Sequence, residues 1–227
     1  MSTVREKKQA LKNWHEYEAM LILKHFCGLT ELKKSESPDW TNEQVGVEVV
    51  TAYGAQWNKD YSNLERLVQA ANISHEELLA ASHKCWAPYL EWSEQVRVDT
   101  LGYIVEGMQM KWSKLNAGHY KVLSDMRLFI WSNFRFHSSA NDLKEVFHNI
   151  SFSQDLRKRA RETLYLRFRK HTFSIVYFFS QIDRILLTLN TENFQFLEPK
   201  VIDSDKYSKE LQEQLAHIKL SIEEVPS

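Results

Sequence analysis

The stretch Pro38-Asp39-Trp40-Thr41-Asn42-Glu43-Gln44-Val45-Gly46-Val47-Glu48-Val49-Val50-Thr51 decides how the chain is read. From Gln44 to Thr51 it is rich in valine and alternates in character, which predicts a β-strand. Thr41-Asn42-Glu43 ahead of it has the chemistry of a turn. Side chains of a strand alternate between its faces, so Glu48 points away from Val47 and Val49. A carboxylate among valines is out of keeping with a plain core strand, because burying it without a partner is costly. Asp39 stands nine residues before Glu48. Two carboxylates brought together by neighbouring strands would suit Mg²⁺, which takes one or two carboxylates and keeps several waters. The opposing reading is an edge strand with Glu48 in solvent and Asp39 opening a turn, and the spacing alone leaves both open.

Upstream, residues from about Glu6 to Phe26 carry Leu11, Trp14, Leu21 and Ile22 at helical spacing, and Gly28 provides a stop. On a helical wheel Glu18 falls at the centre of this apolar stripe, whereas Glu16 lies on the outer face as an ordinary solvated charge. A core-side carboxylate is explained either by a metal nearby or by a satisfied buried salt bridge. Downstream, a helix from Glu94 to Asn116 has the stripe Leu101, Ile104, Val105, Met108, Trp112 and Leu115. Lys111 falls at the edge of that stripe and Lys114 is turned further outward. Lys111 can bury its stem and direct its ammonium to a polar pocket, or snorkel to solvent.

The remaining pattern alternates helix and strand. Tyr61 to Trp92 reads as one or two helices, with Ser74 and Glu77 at capping-box spacing and Pro88 as a break or kink. Arg127 to Phe134 is expected as a strand, and Asn141 to Ile150 and Gln154 to Leu166 as helices. Phe173 to Phe179 and Ile185 to Leu189 are apolar runs of strand length joined by the turn Gln181-Ile182-Asp183-Arg184. Elements alternating in this way argue for a helix-rich α/β (α+β) fold, a central mixed sheet flanked by helices.

With 227 residues, 43% hydrophobic and 26% charged, the composition is that of an ordinary globular chain able to bury a sizeable core. The net charge of −1 excludes nucleic-acid attraction by the field of the whole molecule, so any such binding needs local clusters. Cys27 and Cys85 make neither a disulfide framework nor a four-ligand zinc site. The amino terminus lacks an apolar signal run, and no apolar stretch approaches the roughly 20 residues of a membrane span. A cytoplasmic protein without a membrane partner is expected. There is no Gly-rich phosphate loop, no GxSxG elbow and no HExxH motif.

A local charge cluster is present. Arg157 to His171 (RKRARETLYLRFRKH) holds seven Lys/Arg against the single acid Glu162, with Tyr165 and Phe168 interleaved. Arg157, Lys158, Arg159, Arg161, Arg167, Arg169 and Lys170 would neutralise a phosphate backbone, and the aromatics could stack on unpaired bases. A solvated basic helix paired with the acidic tail is the alternative.

Taken together, Glu18, Glu36-Ser37-Pro38-Asp39-Trp40 and Val45-Gly46-Val47-Glu48-Val49 resemble bacterial members of the PD-(D/E)xK nuclease superfamily. Lys111-Trp112-Ser113-Lys114-Leu115-Asn116, Tyr120 and the strands near Leu128, Phe173 and Leu186 extend the likeness over roughly residues 6 to 195. The resemblance implies a restriction-endonuclease-like core and a Mg²⁺- or Mn²⁺-dependent nucleic-acid phosphodiester hydrolase. Asp39 and Glu48 would bind the metal and a water that attacks phosphate, with Glu18 assisting. In that family a lysine normally stands two residues after the strand glutamate, where this chain has Val50. Some members carry the basic group on a nearby helix, which makes Lys111 the expected substitute, with Lys114 and Glu36 in reserve. The alternative is an inactive nuclease fold that binds nucleic acid or a protein partner. Residues 1–200 are expected as one domain with a helical insertion at about 58–95, and 201–227 as a charged helical tail; a homo-oligomer stays open.

Overall fold

A computed structural model describes residues 4–54, 59–60, 63, 74–91, 93–135, 158–159, 162–163 and 168–214. Helix α1 (Val4–Cys27) is followed by β1 (Lys33–Lys34), β2 (Trp40–Thr41) and β3 (Val45–Ala52). Then come α2 (His75–Glu91), α3 (Glu94–Asn116), β4 (Asp125–Ser132), β5 (Ile175–Ser180), β6 (Ile185–Asn190), β7 (Gln195–Phe196) and β8 (Lys200–Val201). The helices expected over 61–73, 141–150 and most of 154–166 lie outside the described residues, as does the tail from 215 onward.

The sheet has eight strands in the order β1-β2-β3-β4-β5-β6-β7, with β8 also paired to β6. Strands β3, β4 and β5 are parallel, while β2 and β6 flank them antiparallel, so the sheet is mixed. The architecture is therefore α/β, with helices on both faces of the sheet. Among the described residues three long helices accompany an eight-stranded sheet, so the helix-rich expectation finds little support. The two-residue strands β1, β2, β7 and β8 are too short for an alternating pattern to announce them.

Alternation along the strands sorts the core into two layers. Val47, Val49, Phe129, Trp131, Tyr177 and Phe179 share a layer with Ala19, Leu21, Ile22 and Leu23 of α1. Val50, Leu128, Ile130, Val176 and Phe178 share the other with Leu101, Ile104, Val105, Met108 and Trp112 of α3. The chain beyond β8 is not simply an exposed tail: Ile202, Tyr207 and Leu211 are buried in the α1 layer.

Local chemistry sets the helix ends. Helix α1 stops at Gly28, whose φ of +69° suits glycine, and Leu29 N–H donates to Leu23 O at 3.1 Å. Ser74 and Glu77 form the reciprocal capping box at α2, with Glu77 N–H donating to Ser74 Oγ and Ser74 N–H to Glu77 Oε2. Helix α2 runs through Pro88 and ends three residues later, at Glu91. Ser93 caps α3 by accepting from Val96 N–H at 3.3 Å.

Gly46 controls how β2 meets β3. A methyl at this position would lie 2.8 Å from both Pro38 Cγ and Met126 Sδ. The Met126 terminus can move aside, but the proline ring is fixed in the chain that leads into β2. Gly46→Ala is expected to lower unfolding free energy by about 1–3 kcal/mol, as overpacking does. Urea denaturation checks this, and an unchanged midpoint would mean that Pro38 does not bear on β3.

Candidate functional site

The turn between β2 and β3 sets the register of the acids. Asn42 Oδ1 accepts from Gln44 N–H at 3.0 Å and from Val45 N–H at 2.7 Å, the Asx turn that its residue type favours. Trp40 then pairs with Val47 and Thr41 with Gly46. Continued by one residue, this register brings Asp39 opposite Glu48. Asp39 Oδ2 accepts from Val49 N–H at 2.8 Å, so the carboxylate takes over the ladder where β2 has ended. Asp39 is 4% exposed and Glu48 5%, which excludes the reading of Glu48 as a solvent-facing edge residue.

Lys111 reaches this pair from α3. Its ammonium is in direct contact with Glu48 Oε1, and the residue is 9% exposed rather than snorkelling to solvent. Val50, two residues after Glu48, lies under α3: a methyl on Gly107 would meet both Val50 methyls at 3.7 Å. Lys111 is one helical turn beyond Gly107, as Glu48 is two strand residues before Val50.

The structure separates the two glutamates of α1 in an unexpected way. Glu18 is buried, but Arg184 Nη2 donates to its Oε1 at 2.9 Å and Tyr207 Oη at 2.6 Å. It belongs to a salt bridge in the α1 layer, the alternative that its inward position allowed. Glu16 is not a solvated charge. It is 2% exposed and in contact with Lys34, and its backbone oxygen accepts from Trp40 Nε1 at 2.9 Å. A helical wheel of α1 could not show this, because the covering residues come from the short strands β1 and β2. Tyr120 also went without a role in the sequence. Its phenol lies beside Glu48 and Asp39 and makes a side-chain hydrogen bond to Glu48.

The reserve residues Lys114 and Glu36 are exposed and do not enter the cluster. Of the basic stretch, Arg157, Arg161 and Arg167 lie outside the described residues, as does Tyr165. Lys158, Arg169 and Lys170 are exposed and Arg159 half-buried. The described end of this stretch is tied to α3 near Lys111. Asn116 Nδ2 donates to His171 O at 2.8 Å, His171 N–H donates to Asn116 Oδ1 at 3.2 Å, and Trp112 Nε1 donates to Thr172 Oγ1 at 3.1 Å.

Burial and neighbouring acids perturb the cluster. Burial, with the charges of Glu48 and Glu16, pushes the Asp39 carboxyl up to about 7 against the Val49 N–H and Lys111, which lower it. Within the cluster Lys111 is paired with Glu48 and Lys34 with Glu16. Glu48 meets Lys111 through Oε1, and the Tyr120 phenol hydrogen-bonds to the same carboxylate. The hard oxygen donors of two carboxylates fit Mg²⁺ or Mn²⁺ better than a softer ion. Among the described residues no group of three or more His, Cys, Asp or Glu is placed to hold a metal ion. The donor set on offer is the pair Asp39 and Glu48, the number of carboxylates that Mg²⁺ takes. No described helix is long and apolar enough to cross a membrane. Comparison with protein-family models, curated proteins and solved structures returns no match.

The raised Asp39 carboxyl makes a signed prediction. An unfolded aspartate titrates near about 3.9, and the folded one binds its proton more tightly, up to about 7. Between these values the native state holds the extra proton, so stability falls as pH rises from about 4 to about 7 and is flat above. At about 1.4 kcal/mol per pH unit the loss is on the order of a few kcal/mol. Chemical denaturation from pH 4 to 8 without divalent ions should show this decline, and Asp39→Asn should flatten it. Equal slopes in the two proteins would contradict the placement of Asp39 among acids.

Proposed function

We propose that the protein is a Mg²⁺-dependent nucleic-acid phosphodiester hydrolase with a restriction-endonuclease-like core of the PD-(D/E)xK type. The observation that carries this reading is the convergence of Asp39, Glu48 and Lys111 in one buried cluster, from three separate elements. A structural salt bridge needs one acid and one base. A second buried acid raises the cost of the arrangement, and perturbed acids in such a cluster point to a site.

In this reading Asp39 and Glu48 hold the cation, which when bound supplies Lewis-acid polarisation and neutralises phosphate charge. Glu48 Oε2 accepts a hydrogen bond from the attacking water. Lys111 moves from Glu48 towards the phosphate and sets its ammonium against the charge that develops in the transition state. Arg169 and Lys170, anchored through His171 to the same helix, meet the flanking backbone. Glu16 tunes the cluster by its charge on Asp39, and Glu18 holds the fold from the opposite face.

Two experiments test it. Purified protein should nick or degrade DNA or RNA with Mg²⁺ or Mn²⁺ and not with EDTA. Glu48→Ala, Asp39→Asn and Lys111→Ala should each lower the rate by roughly 100-fold or more, on the scale of losing one transition-state donor, while Glu18→Gln lowers stability and spares the rate. Retained cleavage in Glu48→Ala would assign the activity elsewhere. Second, Arg169→Ala with Lys170→Ala should weaken oligonucleotide binding and reduce the salt slope by up to about 2. Binding that depends on these residues without any metal-dependent cleavage would favour an inactive nuclease fold that binds nucleic acid.

A further inference from the structure

We propose that the substrate is taken as an unpaired strand, and that Phe168 stacks on one of its bases. The inference rests on the hydrolase reading and adds to it the class of nucleic acid. Phe168 is 72% exposed, and Arg169 and Lys170 after it are exposed as well. A single apolar side chain in solvent is ordinary on a protein surface. Two features set this one apart: where the ring is held, and what stands beside it.

The chain is pinned just after the ring. Asn116 Nδ2 donates to His171 O at 2.8 Å, and His171 N–H donates to Asn116 Oδ1 at 3.2 Å. Trp112 Nε1 donates to Thr172 Oγ1 at 3.1 Å. Phe173 is fully buried, its ring edge-on to Trp112 at 5.2 Å between centroids. Phe173 thus fills the core position of this segment, and Phe168 stays outside it. Every one of these anchors stands on α3, the helix of Lys111. Asn116 lies five residues beyond Lys111, an advance of about 7.5 Å along the helix axis. A nucleotide held at Phe168 would therefore neighbour the phosphate received by the acid cluster.

A nucleotide has both of the groups that this loop can bind. Its base presents an apolar π face and its phosphate a charge, while the loop presents an aromatic ring followed by two cations. Among the described residues neither Arg169 nor Lys170 is held in an ion pair. A purely apolar partner would take water from these charges without replacing it. In a duplex the neighbouring pairs cover both faces of each base. Only an unpaired or splayed base leaves a face open to a side chain. The ring therefore selects for single strands, whereas the cations hold a backbone of either kind.

The test uses the full chain with Ca²⁺ in place of Mg²⁺ and a short fluorescein-labelled oligonucleotide, alone or annealed to its complement, followed by anisotropy. Wild type should bind the single strand about 10-fold or more tightly than the duplex. Phe168→Ala should weaken single-strand binding by about 5-fold or more, the lower end of what one base stacked on an aromatic ring contributes. Duplex affinity should change by less than about 2-fold and the salt slope should stay as in wild type, because the ring carries no charge. Phe168→Trp should restore single-strand affinity. Unchanged single-strand affinity in Phe168→Ala overturns the proposal, as does an equal loss on the duplex, a Trp variant as weak as Ala, or a wild type that binds no oligonucleotide. Loss of binding to phosphatidylserine vesicles in Phe168→Ala, with oligonucleotide affinity kept, would overturn it in favour of a membrane surface. Ring-dependent single-strand binding without cleavage in Mg²⁺ or Mn²⁺ would sink the hydrolase reading and leave the stacking contact standing. Cleavage abolished by Glu48→Ala but indifferent to Phe168→Ala would do the reverse.

Discussion

Asp39 and Glu48 are buried side by side at the point where β2 gives out and β3 continues, and the architecture around them answers that constraint. Carboxylates removed from water need hydrogen bonds or opposite charge. Val49 N–H supplies a bond to Asp39, and Lys111 supplies charge to Glu48. Each provision fixes a larger element. Asp39 can reach the ladder because Pro38 lies close against Gly46. Lys111 can reach Glu48 because α3 packs along β3 through Gly107 and Val50. The site is in this sense the junction of the sheet edge and the helical layer.

A second buried carboxylate shows what a purely structural solution looks like. Glu18 takes hydrogen bonds from Arg184 and Tyr207, and the Arg184 guanidinium also lies over the Phe179 ring at 4.9 Å. One acid meets one base and a phenol, and the result joins α1, the β5–β6 turn and the chain after β8. At the other cluster Glu48 likewise meets one base, Lys111, and one phenol, Tyr120, and the difference is the second buried acid, Asp39.

Much of the layout was legible in the sequence where regular periodicity runs long. The alternation of Val45 to Thr51, the stripe of α3 and the paired apolar runs around Gln181 foretold β3, α3 and the β5–β6 hairpin. Asp39 and Glu48 were legible because a short turn links them, so sequence spacing nearly determines spatial spacing. Glu16 was not. Its burial depends on Lys34 and Trp40 from strands only two residues long, which leave no periodic trace. Tyr120 depends on a loop-to-loop contact with Ser37, 82 residues away for the His119 bond, and no local pattern carries such a contact. Glu18 was rightly seen to point inward, but its partners come from the far end of the chain.

The meeting of Lys111 on α3 with Glu48 on β3 follows from matched repeats. Two strand residues advance about 6.6 Å and one turn of four helical residues about 6 Å. Val50 facing Gly107 therefore puts Glu48 level with Lys111, with the helix running antiparallel to the strand. The absence of a side chain at Gly107 lets α3 come close enough for the lysine stem to cross to the sheet. A lysine at position 50 would meet that helix instead of the acids. Carrying the ammonium on α3 has a further consequence. Asn116, on the same helix, grips the backbone of His171 in both directions, and Arg169 and Lys170 extend from that anchor. The ammonium facing the acids and the charges facing solvent thus share one rigid support.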